Sequence, residues 1–106
     1  AQLLTGPVLS LAEGEGRNAV FLASLRLEVL GVDGSEVGLA KAQKLAESKG
    51  MSIRTEVDDL ATYEPPASFF GSVVSLSAHL PSNVRRRLYP LVEQSLKPGG
   101  IILLEA

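Results

Sequence analysis

Cysteine is absent from the 106 residues, which excludes disulfides and thiolate metal sites and fits a reducing, cytoplasmic setting. No apolar run approaches the ~18 residues of a membrane span, so no membrane association is expected. The opening Ala1-Gln2-Leu3-Leu4 lacks the basic segment of a signal peptide. Net charge is small, -2, and gives no global attraction to nucleic acid. One basic cluster exists, Arg85-Arg86-Arg87, and it reads as a solvated helix face, because a nucleic-acid footprint spreads over a whole face. Internal repeats and low-complexity tracts are missing as well. What is present is an ordinary globular composition, 45% apolar and 21% charged, in a length that suits one domain over 1–106.

The apolar pattern alternates between two periods. Val8-Leu9-Ser10-Leu11 is a short apolar run that ends in a glycine loop, the signature of a buried strand. Residues 17–25 crowd Ala19, Val20, Phe21, Leu22, Ala23 and Leu25 into a helix buried over much of its circumference. A second strand over 28–32 is stopped by Asp33-Gly34-Ser35. Ser35 is a good N-cap for the following helix, and Glu36 suits its positive end. That helix runs to about Lys49, where Gly50 can end it with a left-handed cap. A weaker strand over 52–56 has polar alternates and suits a sheet edge. Residues 63–71, with Pro65 and Pro66, read as a loop, and 73–77 as a fourth strand. Val84, Leu88, Leu91, Val92 and Leu96 mark the buried face of a third helix, with Ser82 or Asn83 as its cap and a kink or break at Pro90. Lys97-Pro98-Gly99-Gly100 is a tight turn before a fifth strand over 101–104. Apolar strands alternating with helices imply an α/β fold. Right-handed crossovers make it a Rossmann-like, doubly wound parallel sheet with its ligand crevice at the carboxyl ends of the strands.

The loop after the first strand, Ser10-Leu11-Ala12-Glu13-Gly14-Glu15-Gly16-Arg17-Asn18, places small residues at Ala12, Gly14 and Gly16, where backbone can turn sharply and approach a ligand. An ordinary strand-to-helix turn needs one glycine but not this spacing. Asp33 closes the neighbouring strand across the switch point, where a carboxylate can accept from both hydroxyls of an adenosyl ribose. Asp-Gly is also common turn chemistry, and it is the glycine loop that favours the ribose role. A dinucleotide fingerprint keeps a third small residue at the helix start, where this chain has Arg17-Asn18. Glu13 and Glu15 would also flank a pyrophosphate, an electrostatic mismatch. Those carboxylates suit a ligand with an ammonium and a sulfonium centre, which favours S-adenosylmethionine over a dinucleotide and leaves a nucleotide-dependent oxidoreductase as a weaker reading.

The stretch Val8 to Asp33 resembles motif I and post-I of class I S-adenosylmethionine-dependent methyltransferases, and Gly16-Arg17-Asn18 resembles the tellurite-resistance-like branch. The resemblance continues through Asp59-Leu60, Ser75-Leu76-Ser77-Ala78-His79-Leu80-Pro81 and Leu96-Lys97-Pro98-Gly99-Gly100, covering nearly the whole chain. It implies a sheet of order 3-2-1-4-5 and S-adenosyl-L-methionine as cofactor, with the backbone of Ala12, Gly14 and Gly16 along its methionine part. It further implies Asp33 on the ribose, Gly34 near the adenine, Asp59 accepting from the adenine amino group beside the Leu60 backbone, and Leu76 and Ser77 closing the pocket near the sulfonium.

Two departures stand in the first loop: Ser10 replaces the usual acidic residue and Ala12 the first glycine. Glu13 can compensate by meeting the amino group of the methionine moiety. Arg17 can pair with the cofactor carboxylate or face solvent, and Asn18 can simply cap the helix. His79, the single histidine, is either a general base for the acceptor or a lead into the next helix. Methyl transfer needs chiefly in-line positioning, so a base is not obligatory.

The expected function is therefore methyl transfer to a small-molecule acceptor, without metal. The alternative is a non-catalytic module that retains S-adenosylmethionine. Members of the resembled class continue past the fifth strand with a final hairpin that this sequence lacks. It is thus expected to be the cofactor half of such a domain, or part of a longer parent protein; if it is all that folds, its apolar fifth-strand edge is expected to let copies self-associate.

Overall fold

The computed structural model describes residues 5–11, 17–75 and 81–104. Its elements are β1 (Val8–Leu11), α1 (Arg17–Ser24), β2 (Val29–Asp33), α2 (Glu36–Ser48), β3 (Arg54–Val57), β4 (Phe70–Ser75), α3 (Ser82–Ser95) and β5 (Leu96–Leu104). The strands form one sheet in the order β3-β2-β1-β4-β5, every pairing parallel. This is the Rossmann-like, doubly wound α/β arrangement that the alternation of strands and helices predicts.

Strand alternation distributes the core to both faces. Val8, Val29 and Val74 point to one side, where Ala19, Val20 and Leu22 of α1 and Ala42 and Ala46 of α2 cover them. Leu9, Leu11, Val32 and Val73 point to the other, against Leu88 and Val92 of α3. A period of two along buried strands thus feeds two separate apolar layers. Central β1 is fully buried, including Ser10 at 1% exposure.

Local sequence explains how the helices start and stop. Ser35 caps α2 by accepting the Gly38 N–H at 3.0 Å. At the other end Gly50 takes φ +70, Met51 N–H bonds the Ala46 carbonyl and Gly50 N–H the Glu47 carbonyl. That is a Schellman cap, and glycine meets its left-handed position without a Cβ penalty. Helix α3 differs from expectation. Its N-cap is Pro81, with no side-chain capping bond, rather than Ser82 or Asn83. Pro90 lies inside the continuous helical span and does not break it. Pro90 is exposed, so its ring points away from the sheet, while Leu88 and Val92 on the opposite face hold the helix down.

Two strands begin earlier than their apolar runs suggest. β4 starts at Phe70, inside the stretch expected to be loop, because Phe70 pairs with Leu96 across the sheet. β5 likewise starts at Leu96, directly after α3. The register then shifts: Phe70 faces Leu96, yet Ser72 faces Ile101. Lys97-Pro98-Gly99-Gly100 is the excursion between these pairings, with Gly99 at φ +81. A Cβ at Gly100 would sit 2.9 Å from the Lys97 carbonyl oxygen and 3.1 Å from that of Gly71, so the fold of this excursion requires glycine. β2 and β3 are shifted by a residue or two from their expected bounds, to 29–33 and 54–57.

Among the described residues β3 and β5 each have one sheet neighbour. β3 is the polar edge, with Arg54 and Glu56 exposed. On β5 Ile101 and Ile102 are half-buried and Leu103 is 43% exposed. No described helix is long and apolar enough to cross a membrane.

Candidate functional site

The carboxyl ends of the parallel strands gather the described part of the site. Asp33 is the last residue of β2 and pairs in register with Val57, the last of β3. Its backbone carbonyl accepts the Asp58 N–H at 3.0 Å, which brings the segment after β3 directly alongside the end of β2. The half-buried Asp33 carboxylate accepts the Ser35 N–H through Oδ1 at 2.9 Å. This short Asx-type contact orients the side chain while Ser35 caps α2, so one turn serves both the helix start and the carboxylate. A Cβ at Gly34 would meet only the Asp58 carbonyl oxygen, at 3.7 Å.

Asp59 opens a second turn. Its carbonyl accepts the N–H groups of Thr62 and Tyr63, both at 2.9 Å, and the Thr62 hydroxyl at 3.2 Å. Its Oδ1 accepts the Ala61 N–H at 2.9 Å. The carboxylate is exposed, whereas Leu60 and Tyr63 turn inward to the apolar layer on the α3 side. The structure therefore brings together four residues singled out from sequence, Asp33, Gly34, Asp59 and Leu60, at adjacent strand ends. Ala12, Glu13, Gly14, Gly16, Leu76, Ser77 and His79 lie outside the described residues, and Arg17 is described only as the first residue of α1.

Ser75 adds a feature that the sequence does not signal. It ends β4, is 1% exposed, and its Oγ has no hydrogen-bond partner among the described residues. Ser72, three residues earlier, is equally buried but satisfied: its hydroxyl donates to the Thr5 carbonyl at 2.9 Å and accepts the Thr5 N–H at 3.0 Å. An unpaired buried hydroxyl costs about 1–3 kcal/mol, so its place beside the ligand-binding end of the sheet is a reason to expect a polar group there.

Arg87 is a second residue that sequence reading passes over. Its guanidinium donates from Nη1 to the Tyr63 carbonyl and from Nη2 to the Thr62 carbonyl, each at 3.0 Å. All three arginines are exposed, as a solvated helix face implies, but Arg87 also ties α3 to the Asp59 turn. A signal was available. Arg87 is three residues after Val84 and four before Leu91, both half-buried, so helical spacing puts it at the margin of the apolar face.

Burial pushes the Tyr63 hydroxyl up from its ordinary 10 to about 12, with smaller contributions from the nearby Glu56 and Asp58 carboxylates. Below pH 10 the tyrosine is neutral in both folded and unfolded chains, and the full stabilisation is present. Between 10 and 12 the unfolded chain loses its proton first, so stability falls as pH rises through that window. Two units correspond to roughly 2–3 kcal/mol. Urea unfolding followed from pH 9 to 12 should show this loss, and Tyr63→Phe should remove most of it.

A cleft of about 880 Å³ borders β3 and reaches Tyr63, Phe69 and Phe70, but its lining includes neither Asp33 nor Asp59. The site is therefore defined by the strand ends rather than by that cavity.

A doubly wound parallel sheet with its crevice at the carboxyl ends of the strands is an architecture that nucleotide-binding domains share. The methyltransferase domain family matches residues 8–100, and the chain belongs to it. The chain is similar in structure to the PH0226 protein of Pyrococcus horikoshii OT3, at TM-score 0.80 and 28% identity over 90% of this chain and 47% of that one. It is also similar to an S-adenosylmethionine-dependent methyltransferase from Mesorhizobium loti, at TM-score 0.77 and 27% identity over 92% of this chain and 45% of that one. A third similar structure is the glycopeptide N-methyltransferase MtfA complexed with (S)-adenosyl-L-methionine, at TM-score 0.74 and 28% identity over 93% of this chain and 47% of that one. The chain thus spans a little under half the length of these structures. No curated protein matches it.

Proposed function

We propose that this chain binds S-adenosyl-L-methionine and supports methyl transfer to a small-molecule acceptor. The observation that carries the reading is the meeting of Asp33 and the Asp59 turn at the adjacent carboxyl ends of β2 and β3, locked by the Asp58 N–H to Asp33 carbonyl bond. The residues fit such a ligand: a carboxylate oriented by its own turn after each strand, a glycine at 34 beside the Asp58 carbonyl, and a buried Ser75 hydroxyl at the end of β4 without a partner among the described residues.

In this reading Asp33 accepts from the ribose hydroxyls, with Gly34 beside the adenine. Asp59 accepts from the adenine amino group through the oxygen not engaged by Ala61, and the Leu60 backbone lies alongside. Ala12, Gly14 and Gly16 give backbone to the methionine part, Glu13 meets its amino group and Arg17 its carboxylate. Leu76 and Ser77 flank the sulfonium end, and His79 is the candidate base. When bound, the cofactor would supply an electrophilic methyl carbon to an acceptor lone pair, with its sulfur as the leaving group. The protein's part is positioning, which alone can supply ~7 kcal/mol or more of a bimolecular barrier. Gly16-Arg17-Asn18 supports placement in the tellurite-resistance-like branch.

Calorimetry with S-adenosylmethionine and with NAD tests the cofactor, and transfer of a labelled methyl group to candidate acceptors tests the reaction. Binding of S-adenosylmethionine alone is the expected result. Binding of NAD in its place would overturn the proposal, and cofactor binding without transfer to any acceptor would reduce it to a binding module.

A further inference from the structure

We propose that Arg87 is a positioning residue that sets specificity for the adenine amino group. The inference rests on the reading of Asp59 as the acceptor of that group.

The Asp59 carboxylate is held by its own turn. Its Oδ1 takes the Ala61 N–H, and its carbonyl takes the N–H groups of Thr62 and Tyr63. Two further contacts brace the far side of this turn. The Tyr63 ring is buried in the core at 4% exposure. The two terminal nitrogens of Arg87 then take the consecutive carbonyls of Thr62 and Tyr63. Two parallel donors from a planar fork constrain the peptide plane as well as the distance, which one ammonium cannot do.

The other end of the strap is equally firm. Leu88, the next residue, is fully buried against the sheet, so the Arg87 backbone is anchored on α3. Arg85 and Arg86 reach no carbonyl among the described residues, so the role is specific to one arginine of the three. The chain of restraint runs from the core through α3 and the guanidinium to the turn, and from the turn to the carboxylate. Arg87 touches no part of the ligand in this account. Its effect reaches the base only through the orientation of Asp59.

The test compares the affinities of the 106-residue chain for S-adenosylhomocysteine and S-inosylhomocysteine, in which the amino group is replaced by a carbonyl oxygen. A hydrogen bond to a carboxylate makes the wild-type preference for the former about 10–100-fold. Asp59→Ala should bring the ratio near unity. Arg87→Ala should lower it by about tenfold while changing S-inosylhomocysteine binding little, and Arg87→Lys should restore it only in part. The double variant should match Asp59→Ala. Thermal unfolding without ligand establishes that each variant is folded.

A wild-type ratio in Arg87→Ala, alongside a collapsed ratio in Asp59→Ala, would overturn the positioning role and leave the Asp59 reading standing. Equal weakening of both ligands by Arg87→Ala would likewise overturn it, marking Arg87 as merely structural. An unchanged ratio in Asp59→Ala would overturn the Asp59 reading itself, and the role of Arg87 with it.

Discussion

Asp33→Ala is expected to weaken S-adenosylmethionine binding by about 10²–10³-fold in isothermal titration. Hydrogen bonds to a charged acceptor contribute about 1.5–3 kcal/mol each, and an aspartate closing β2 can offer two to a ribose, so their joint loss comes to roughly 3–4 kcal/mol after water partly replaces it. The alanine also removes the Oδ1 contact to the Ser35 N–H, yet Ser35 still caps α2 through Gly38, so the helix start should survive. Asp33→Asn separates charge from shape. It keeps an acceptor oxygen but not the charge, and an intermediate affinity is expected. An affinity for Asp33→Ala within about threefold of wild type would remove the ribose role.

The second large effect concerns stability. Phe70→Ala should lower the free energy of unfolding in urea by about 3–5 kcal/mol, the usual range for truncating a buried phenylalanine. Phe70 is fully buried in the α3-side layer and packs edge-on against Phe69, with ring centroids 5.0 Å apart and planes at 80°. It also sits where β4 meets the start of β5 through Leu96, so a cavity there would loosen the shifted pairing that follows. Domains of this size have only about 5–15 kcal/mol in total, which would leave the variant marginal. Phe69→Ala is the internal control: that side chain is 48% exposed, and its loss should cost clearly less. Equal effects at both positions would contradict the assigned packing.

The contrast between these two residues shows what could be read in advance. The place of Asp33 at the end of β2 was legible because it follows from local order: a branched apolar run, then Asp-Gly-Ser, then an amphipathic helix. The same locality made Ser35 and Gly50 visible as caps and the five parallel strands visible as alternating runs. Phe70 was not legible. It lies four residues after Pro66, at the end of a stretch that reads as loop, and what makes it a strand residue is Leu96 on another strand. The early start of β5 and its glycine excursion are hidden for the same reason, since register is a property of two strands and not of one. Arg87 and Ser75 are the corresponding omissions at the site. Helical spacing puts Arg87 at the margin of an apolar face, but the carbonyls its guanidinium meets lie on a remote turn, and a hydroxyl left unpaired by its surroundings has no signature in its neighbouring residues.

The central place of β1 has a further consequence for how the molecule is made. On one side Val8 pairs with Val29, which leaves the ribosome soon after it. On the other side Val8 pairs with Ser72, which is translated much later. During synthesis the first three strands and two helices can assemble one apolar layer, while the opposite face of β1, with Leu9 and Leu11, waits for α3. Until α3 arrives, the nascent chain thus carries an open strand edge and a bare hydrophobic face. Vectorial synthesis therefore makes the arrival of β4 and α3 the step on which escape from misassembly depends.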